Sequence, residues 1–136
     1  MKTYMFVCVH NAGRSQMAEA FVNHYAALHG LSVKGASAGT VGGKQLNAMA
    51  VEAMAELGIS MERQTPKLLT QEMIGPETSV ITMGCGVDAS ACPAKFLVSE
   101  DWGLDDPAGQ DIEKVREIRN EIKKRVVGIL GLNPGT

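Results

Sequence analysis

The segment Tyr4-Met5-Phe6-Val7-Cys8-Val9-His10-Asn11-Ala12-Gly13-Arg14-Ser15 decides how this chain is interpreted. An apolar run ends at Val7, and a helical pattern begins directly after Ser15. Residues 8–15 are therefore predicted to form a loop between a buried strand and a helix N-terminus. Backbone N–H groups converge in such a loop, and the helix dipole adds partial positive charge. The loop is suited to hold a tetrahedral oxyanion.

Two side chains of this loop add chemistry to the predicted anion site. Arg14 supplies a planar fork of donors that can bind two oxygens of one anion. Cys8 lies at the strand exit in the same positive field, which predicts a thiolate stabilised below the ordinary thiol pKa of about 8.5. Ser15 is expected to cap the helix and to donate a hydrogen bond to that thiolate. The residues expected to contact the anion are Val9, His10, Asn11, Ala12, Gly13 and Arg14.

Length and composition limit the classes of protein to consider. The 136 residues predict one domain, 1–136, and the net charge of −2 gives no electrostatic case for nucleic acid or an anionic membrane. No apolar run approaches a membrane span, and the first residues lead into a strand, so we expect a cytoplasmic protein. In a reducing compartment, the three cysteines Cys8, Cys85 and Cys92 are expected to be catalytic or redox-active rather than structural.

Apolar runs and helical periodicities alternate along the chain, which predicts an α/β fold with a parallel sheet and helices on both faces. The predicted strands are Thr3–Val7, Leu31–Ala38, Ser79–Met83 and Phe96–Val98. The predicted helices run from Gln16 to a stop at Gly30, over Lys44–Leu57, over one or two turns of Leu68–Ile74, and from Asp111 onwards. Leu28, Met49 and Leu57 are expected inside the core, and Arg119 on a solvated helix face. The glycine-rich segment 39–43 lacks the phosphate-loop pattern and is interpreted as a flexible connection.

Loops 8–15, 84–93 and 101–109 each follow a predicted strand, so all three are expected to meet at one edge of the sheet. Cys8-x5-Arg14-Ser15, together with Asp106-Pro107 far downstream, resembles the low-molecular-weight protein tyrosine phosphatase fold. Further motifs resemble the arsenate reductases built on that fold: Asn11, 14–19, Ser37-Ala38-Gly39, the Cys85/Cys92 pair and 102–109. The resemblance implies a four-stranded parallel sheet and reduction of arsenate to arsenite, with electrons from thioredoxin and no tightly bound cofactor. Phosphate or sulfate would bind as analogues of arsenate.

The resemblance also implies a role for each candidate catalytic residue. Cys8 would attack arsenic, and Asp106 would act as the general acid because the family acid stands directly before proline. Cys85 would attack the Cys8 sulfur, and Cys92 would then form a disulfide with Cys85. Six residues separate Cys85 from Cys92, so the segment between Gly84 and Pro93 must loop back to let them bond. Trp102 is interpreted as a packing anchor.

Other readings of the same residues remain open at the level of sequence. Cys8 could be a small buried side chain without a chemical role, and Cys85 and Cys92 could be two inert thiols. A zinc site is not favoured, because the cysteine spacing is wrong and no histidine is nearby in sequence, so no metal is expected. A tyrosine phosphatase would use Cys8, Arg14 and Asp106 without the other cysteines. A third reading is a non-catalytic oxyanion- or arsenite-binding module.

Two positions depart from the family pattern. Some relatives bind potassium near the anion loop through counterparts of Asn11 and Ser37 plus an acidic residue. This chain carries Lys67 where that acid should fall, which argues against potassium dependence, and the ammonium group would supply the cation's charge instead. His10 stands where many relatives have Gly, and either its side chain acts on the thiolate or only its backbone contributes.

Overall fold

The computed structural model describes residues 1–41, 43–84, 98–105 and 107–133. The strands are β1 (Lys2–Cys8), β2 (Val33–Gly39), β3 (Thr78–Thr82) and β4 (Val98–Asp101). The α-helices are α1 (Arg14–His29), α2 (Ala48–Ala55) and α3 (Ile112–Ile129), and a single 3-10 turn spans Gln71–Met73. Cys85, Cys92 and Asp106, which carry predicted roles, lie outside the described residues, as do Gly42 and 93–97.

The four strands form one parallel sheet in the order β2-β1-β3-β4. The apolar run that was expected to form a buried strand occupies β1, where Met5, Phe6 and Val7 are almost fully buried. β1 pairs with β2 on one edge and with β3 on the other, and its continuous apolar run is typical of a central strand with both faces buried. The predicted four-stranded parallel α/β sheet is confirmed. Val7 lies beside Thr82 in the register, so β1 and β3 end at the same edge.

Side chains that alternate along the strands build two separate cores. The larger core joins Phe6, Ile81 and Trp102 to buried residues of α1, α2 and α3. The smaller core, on the other set of strand positions, contains Val7, Val80 and Leu69 and is completed by partly buried residues of 73–74. Among the described residues, no helix is long and apolar enough to cross a membrane.

Helix α2 begins four residues later than the periodicity predicts. Asn47 caps it, because its side-chain Oδ1 accepts hydrogen bonds from the N–H groups of Met49 at 2.9 Å and Ala50 at 3.1 Å. Asparagine is among the best N-cap residues, and the cap fixes the first turn at Ala48. The predicted start at Lys44 is therefore wrong.

Two further predicted elements need correction. The segment Leu68–Ile74 is largely non-helical: Leu68 forms a parallel bridge with Gly39, and only the 3-10 turn Gln71–Met73 follows. The fourth strand continues past its predicted end at Val98 to Asp101, because its pairing with β3 reaches the Thr82–Asp101 pair, and the predicted positions 96 and 97 lie outside the described residues.

Several side chains do not occupy the predicted environment. Leu28 is 64% exposed and Leu57 is 40% exposed, because each lies in the last turn or just past the end of its helix. Met49, also expected in the core, lies in the first turn of α2 and is 40% exposed. Arg119, expected on a solvated face, is buried. Its guanidinium donates to the Ala53 carbonyl at 2.9 Å and to Glu56 Oε1 at 2.7 Å, and so joins α3 to the C-terminal end of α2.

Candidate active site

The predicted anion loop lies at the C-terminal edge of the sheet, where parallel sheets bind ligands. Strand β1 ends at Cys8, and α1 begins at Arg14. The loop borders a cavity of about 480 Å³, here called the anion cavity. Its wall from the predicted segment consists of Cys8, Val9, His10, Ala12, Gly13 and Arg14. Its other lining residues are Asn47, Gly84, Leu104, Asp105, Pro107 and Ala108.

The carbonyl groups of the loop are bonded to surrounding structure. The acceptors and their donors are Cys8 O with Thr40 N, Val9 O with Val41 N, Asn11 O with Gln16 Nε2, Ala12 O with Asn47 N, and Gly13 O with Met17 N. In a trans peptide unit, the N–H points opposite to the carbonyl that precedes it. Because these carbonyl groups point away from the anion cavity to their donors, the N–H group of the next residue in each case points towards the cavity. The loop can hold the oxygens of an anion through its backbone.

Cys8 lies in the floor of this cavity and is 4% exposed. The Asn11 backbone N–H donates to its sulfur at 3.2 Å, and Ser15 Oγ lies 2.9 Å from the same sulfur. Donors directed at a sulfur favour its thiolate form.

The direction of the Ser15 hydrogen bond follows from a chain of contacts. The backbone N–H of Lys67 donates to Asn11 Oδ1 at 2.9 Å, and this fixes which end of the Asn11 amide is oxygen. The amide nitrogen Nδ2 then donates to Ser15 Oγ at 2.8 Å. Since Nδ2 can only donate, Cys8 Sγ is the contact of Ser15 Oγ in the described part of the chain that can accept the hydroxyl hydrogen. The sulfur is thus the acceptor at the end of a chain that starts at a backbone N–H.

Asn11, within the loop, is fully buried and has a left-handed backbone, with φ at 55°. Asparagine tolerates this conformation better than other residues with side chains. Gln16 Nε2 donates to Asn11 Oδ1 at 2.8 Å and to the Thr65 carbonyl at 2.9 Å. Gln64 Nε2 in turn donates to Gln16 Oε1 at 2.7 Å. Segment 64–67 therefore holds Asn11 in the conformation that directs its N–H to the sulfur.

Arg14 is buried and lines the anion cavity. Its Nη1 donates to the Leu104 carbonyl at 2.7 Å and to the Met83 carbonyl at 3.2 Å. These carbonyls follow β4 and β3, so the guanidinium links three neighbouring strand ends. The two hydrogen bonds fix the orientation of the Arg14 guanidinium before a ligand binds, and electrostatic catalysis requires this preorganisation.

The glycine-rich segment after β2 is not a flexible connection in its described part. The N–H groups of Thr40 and Val41 extend the pairing of β1 and β2 into the anion loop, each at 3.0 Å. A Cβ on Gly39 would lie 2.6 Å from the Val9 carbonyl oxygen, so only glycine fits here without a shift of the loop. Residues 39–41 support the anion loop from outside.

The structure brings most of the predicted site residues of segment 8–15 together, with two corrections. Asn11, expected to contact the anion, is fully buried and is not among the described residues that line the anion cavity. Gly13, not Ser15, is the N-cap of α1, because Ser15 lies inside the first turn and turns its hydroxyl to the sulfur. Sequence reasoning missed Asn47, which lines the cavity and donates its N–H to Ala12 O at 2.8 Å. An asparagine before a helical run is a capping signal that could have identified it.

The remaining predicted catalytic residues, Cys85, Cys92 and Asp106, lie outside the described residues. Their described sequence neighbours Gly84, Asp105 and Pro107 line the anion cavity. Within the described ranges, no group of three or more His, Cys, Asp or Glu side chains is placed to hold a metal ion.

Lys67 occupies the region beside the loop where an acid was expected in potassium-binding relatives. Its Nζ donates to the Thr65 carbonyl at 2.9 Å and lies 3.7 Å from Glu19 Oε1. The same Glu19 oxygen accepts from Ser37 Oγ at 2.8 Å. The ammonium group thus contacts a carbonyl and a carboxylate that could otherwise coordinate a cation.

Asp105, which also lines the anion cavity, forms an ion pair with Lys114 of α3 at 2.9 Å. The hydrogen bond from Lys114 and its charge hold the pKa of the Asp105 carboxyl below its ordinary value, and the more distant charge of Arg14 acts in the same direction. Asp105 is therefore ionised at neutral pH.

Comparison with known proteins places this geometry in a family. The sequence profile described as low molecular weight phosphotyrosine protein phosphatase matches residues 3–132. The chain belongs to this family. Within it, a putative arsenate reductase of Halobacterium salinarum is 39% identical over 126 residues, covering 91% of this chain and 87% of the relative. Arsenate reductase 1 of Staphylococcus epidermidis is 35% identical over 135 residues, covering 92% of each chain.

Solved structures of the family agree with this assignment. An arsenate reductase in the phosphate binding state is 33% identical, with a TM-score of 0.78 over 96% of this chain and 98% of that chain. The thioredoxin-dependent arsenate reductase of Corynebacterium glutamicum is 37% identical, with a TM-score of 0.75 over 96% of this chain and 61% of that longer chain. The resemblance inferred from the sequence motifs is confirmed.

Proposed function

We propose that this protein reduces arsenate to arsenite, with Cys8 as the nucleophile. The observation that carries the proposal is the Cys8 sulfur, which accepts hydrogen bonds in the floor of an anion cavity beside Arg14. The relatives named arsenate reductases, at 35% and 39% identity over nearly the whole chain, support arsenate as the substrate. The structure solved with phosphate supports phosphate as an analogue of it.

In the first step, the Cys8 thiolate attacks arsenic, and a sulfur–arsenic bond forms while one arsenic–oxygen bond breaks. Asp106 donates the proton that lets this oxygen leave as water. The loop N–H groups and Arg14 hold the remaining oxygens and stabilise the charge that develops on them. Val9, His10, Ala12 and Gly13 contribute to this binding as cavity wall.

In the second step, the Cys85 thiolate attacks the Cys8 sulfur. A disulfide forms, the sulfur–arsenic bond breaks, and its electron pair stays on arsenic, which leaves as arsenite. Cys92 then attacks Cys85, forms the Cys85–Cys92 disulfide and releases the Cys8 thiolate. Gly84, which directly precedes Cys85 in the sequence, lines the anion cavity, and this supports the proposed order.

Thioredoxin is the proposed reductant of the Cys85–Cys92 disulfide. Its two thiols supply the two electrons, so the cycle needs no tightly bound cofactor. The thioredoxin-dependent relative supports this choice. The relay requires surroundings that keep thiols reduced, as the cytoplasm does.

The decisive experiment measures NADPH oxidation by thioredoxin reductase and thioredoxin in the presence of arsenate. Wild-type protein should give multiple turnovers. Cys8→Ser should abolish the reaction, Cys85→Ser should stop after the covalent adduct, and Cys92→Ser should accumulate the Cys8–Cys85 disulfide, visible by mass spectrometry of peptides. Stoichiometric arsenite binding without NADPH oxidation would instead indicate a non-catalytic binding module.

A second candidate function is phosphatase activity, because the same cavity, nucleophile and arginine suit a phosphate ester. The comparison is aryl phosphate hydrolysis by wild-type and Cys85→Ser protein. Hydrolysis that survives in Cys85→Ser while arsenate reduction is lost would show that the thiol relay, and not the anion cavity, separates the two reactions. Fast hydrolysis without arsenate turnover in wild type would replace the proposed function by a phosphatase.

A further inference from the structure

Asp105 lies on a ridge between two cavities. On one side it lines the anion cavity together with Arg14. On the other it lines an open groove of about 250 Å³ beside α3, here called the α3 groove, together with Lys114 and Glu117. The ionised Asp105 carboxylate can face Arg14 in the anion cavity or Lys114 in the α3 groove. Its direction matters, because the anion cavity is the proposed binding site of a divalent oxyanion.

The contacts show that Asp105 faces the α3 groove. Lys114 Nζ lies 2.9 Å from Asp105 Oδ2 and 3.8 Å from Glu117. The Asp105 side chain is 72% exposed, so no packing holds it in this position, and the ion pair is the contact that orients it.

The alternative partner of Asp105 is close. The carbonyl of Leu104, the preceding residue, accepts from Arg14 Nη1 at 2.7 Å, which fixes the Asp105 backbone next to the guanidinium. The positive charge of Arg14 already contributes to the lowered pKa of Asp105. Carboxylates bind arginine through the same planar fork that binds tetrahedral oxyanions. A carboxylate turned to Arg14 would compete with the substrate from within the chain.

We propose that Lys114 is a positioning residue for oxyanion binding, because it holds the Asp105 carboxylate in the α3 groove and away from Arg14. The anion cavity then stays open, and the negative charge at its mouth is neutralised. The proposal rests on the proposed function only for its arsenate assay, because inorganic phosphate probes the same cavity without any redox step.

The test is calorimetric titration of the reduced protein with inorganic phosphate at low ionic strength. Lys114→Met should raise the Kd for phosphate roughly threefold to tenfold. Lys114→Arg should restore binding to within about twofold of wild type, since it keeps the charge. The double variant with Lys114→Met and Asp105→Asn should also bind within about twofold of wild type, because the competing carboxylate is gone.

Lys124→Met is the matched control. It removes the same charge from α3 about 15 Å further along the helix, and it should leave the Kd within about twofold of wild type. Equal weakening by Lys124→Met would show that net charge alone is responsible and would overturn the proposal. An unchanged Kd in Lys114→Met, or an undiminished Lys114→Met effect in the Asp105→Asn background, would do the same.

Steady-state kinetics with arsenate provide the second measurement. Lys114→Met should raise KM by the same factor as the phosphate Kd and change kcat by less than about twofold, since it affects ground-state access only. A fall in kcat at unchanged KM would contradict the proposed role. If wild type shows no arsenate turnover, the proposed function fails, and the phosphate titrations still decide the role of Lys114.

Discussion

Replacing Ser15 by alanine tests whether the hydrogen-bond chain at the loop stabilises the Cys8 thiolate. The hydroxyl lies 2.9 Å from the sulfur, and its other contact, Asn11 Nδ2 at 2.8 Å, can only donate, so the sulfur is the acceptor open to the hydroxyl hydrogen. Alanine removes this donor, and it also removes the acceptor of Asn11 Nδ2. The variant therefore tests the effect of the Ser15 hydroxyl on the thiolate, together with its effect on stability.

The expected magnitude follows from the charge of the acceptor. A hydrogen bond to a charged group contributes about 1.5–3 kcal/mol, whereas one between neutral groups contributes about 1 kcal/mol. The difference between the two, about 0.5–2 kcal/mol, is what the thiolate gains over the thiol, so loss of the Ser15 donor should lower the ratio of thiolate to thiol at Cys8 roughly twofold to thirtyfold. The free energy of unfolding should fall by about 1–3 kcal/mol, because the buried Nδ2 of Asn11 loses its acceptor.

The assay is the alkylation rate of Cys8 by iodoacetamide as a function of pH. Cys85→Ser and Cys92→Ser form the background of every variant, so that Cys8 is the single thiol of the chain. The rate follows the thiolate population, and its inflection should move to higher pH in Ser15→Ala. Arsenate turnover in the otherwise wild-type protein should fall in parallel.

Ser37→Ala is the matched control. Ser37 is equally buried and loses a hydrogen bond of 2.8 Å to Glu19, but its hydroxyl bonds a carboxylate and not the sulfur. It should lower stability without moving the inflection. Coinciding profiles for Ser15→Ala and its parent, or an equal shift in Ser37→Ala, would refute the reasoning about hydrogen-bond direction.

Three further substitutions test other parts of the structure. Asn11→Ala should lower the free energy of unfolding, measured in urea, by about 2–4 kcal/mol, since alanine loses the amide contacts and is strained at φ 55°. Asn11→Gly should lower this free energy by about 1 kcal/mol less, because glycine is not strained there. Equal losses in both variants would exclude backbone strain. Arsenate reductase activity of wild type should be equal in sodium and potassium buffers, whereas Lys67→Asp should be more active in potassium. Activation of wild type by potassium would contradict the proposal that the Lys67 ammonium group beside Glu19 replaces the cation. Glu56→Gln should lower the thermal midpoint at neutral pH, because hydrogen bonds from Arg116 and Arg119 lower the pKa of the Glu56 carboxyl. The stabilisation by the Glu56 carboxylate is present above the ordinary carboxyl pKa and is lost as pH falls through the lowered pKa. A difference in midpoint between the two proteins that persists in strong acid would contradict this account.

The sequence predicted the centre of the fold because the signals there are local. Apolar residues up to Val7, a loop with Gly13 and a periodic helix up to Gly30 all lie within one continuous segment. The structure keeps these bounds to within two residues, with β1 ending at Cys8 and α1 beginning at Arg14. Short-range rules for strand, loop and helix agree with each other here, which is when sequence reasoning is reliable.

Features that depend on distant partners were missed or misjudged. Gln64 is 48 residues from Gln16, and nothing in the sequence indicates that their amides bond. Arg119 belongs by periodicity to a charged face, but the end of α2 lies against it and buries it. Predictions for Cys85 and Cys92 rest on the family resemblance and stay predictions.

The packing of Trp102 has a practical consequence. It is the single tryptophan of the chain, it directly follows β4, and its ring lies 5.4 Å from Phe6, two residues before the nucleophile. The Arg125 guanidinium of α3 lies over the same ring, 5.9 Å from its centre. Indole emission therefore originates from one site between the sheet and α3. A stopped-flow fluorimeter can follow rearrangements at this sheet edge during turnover without an attached dye.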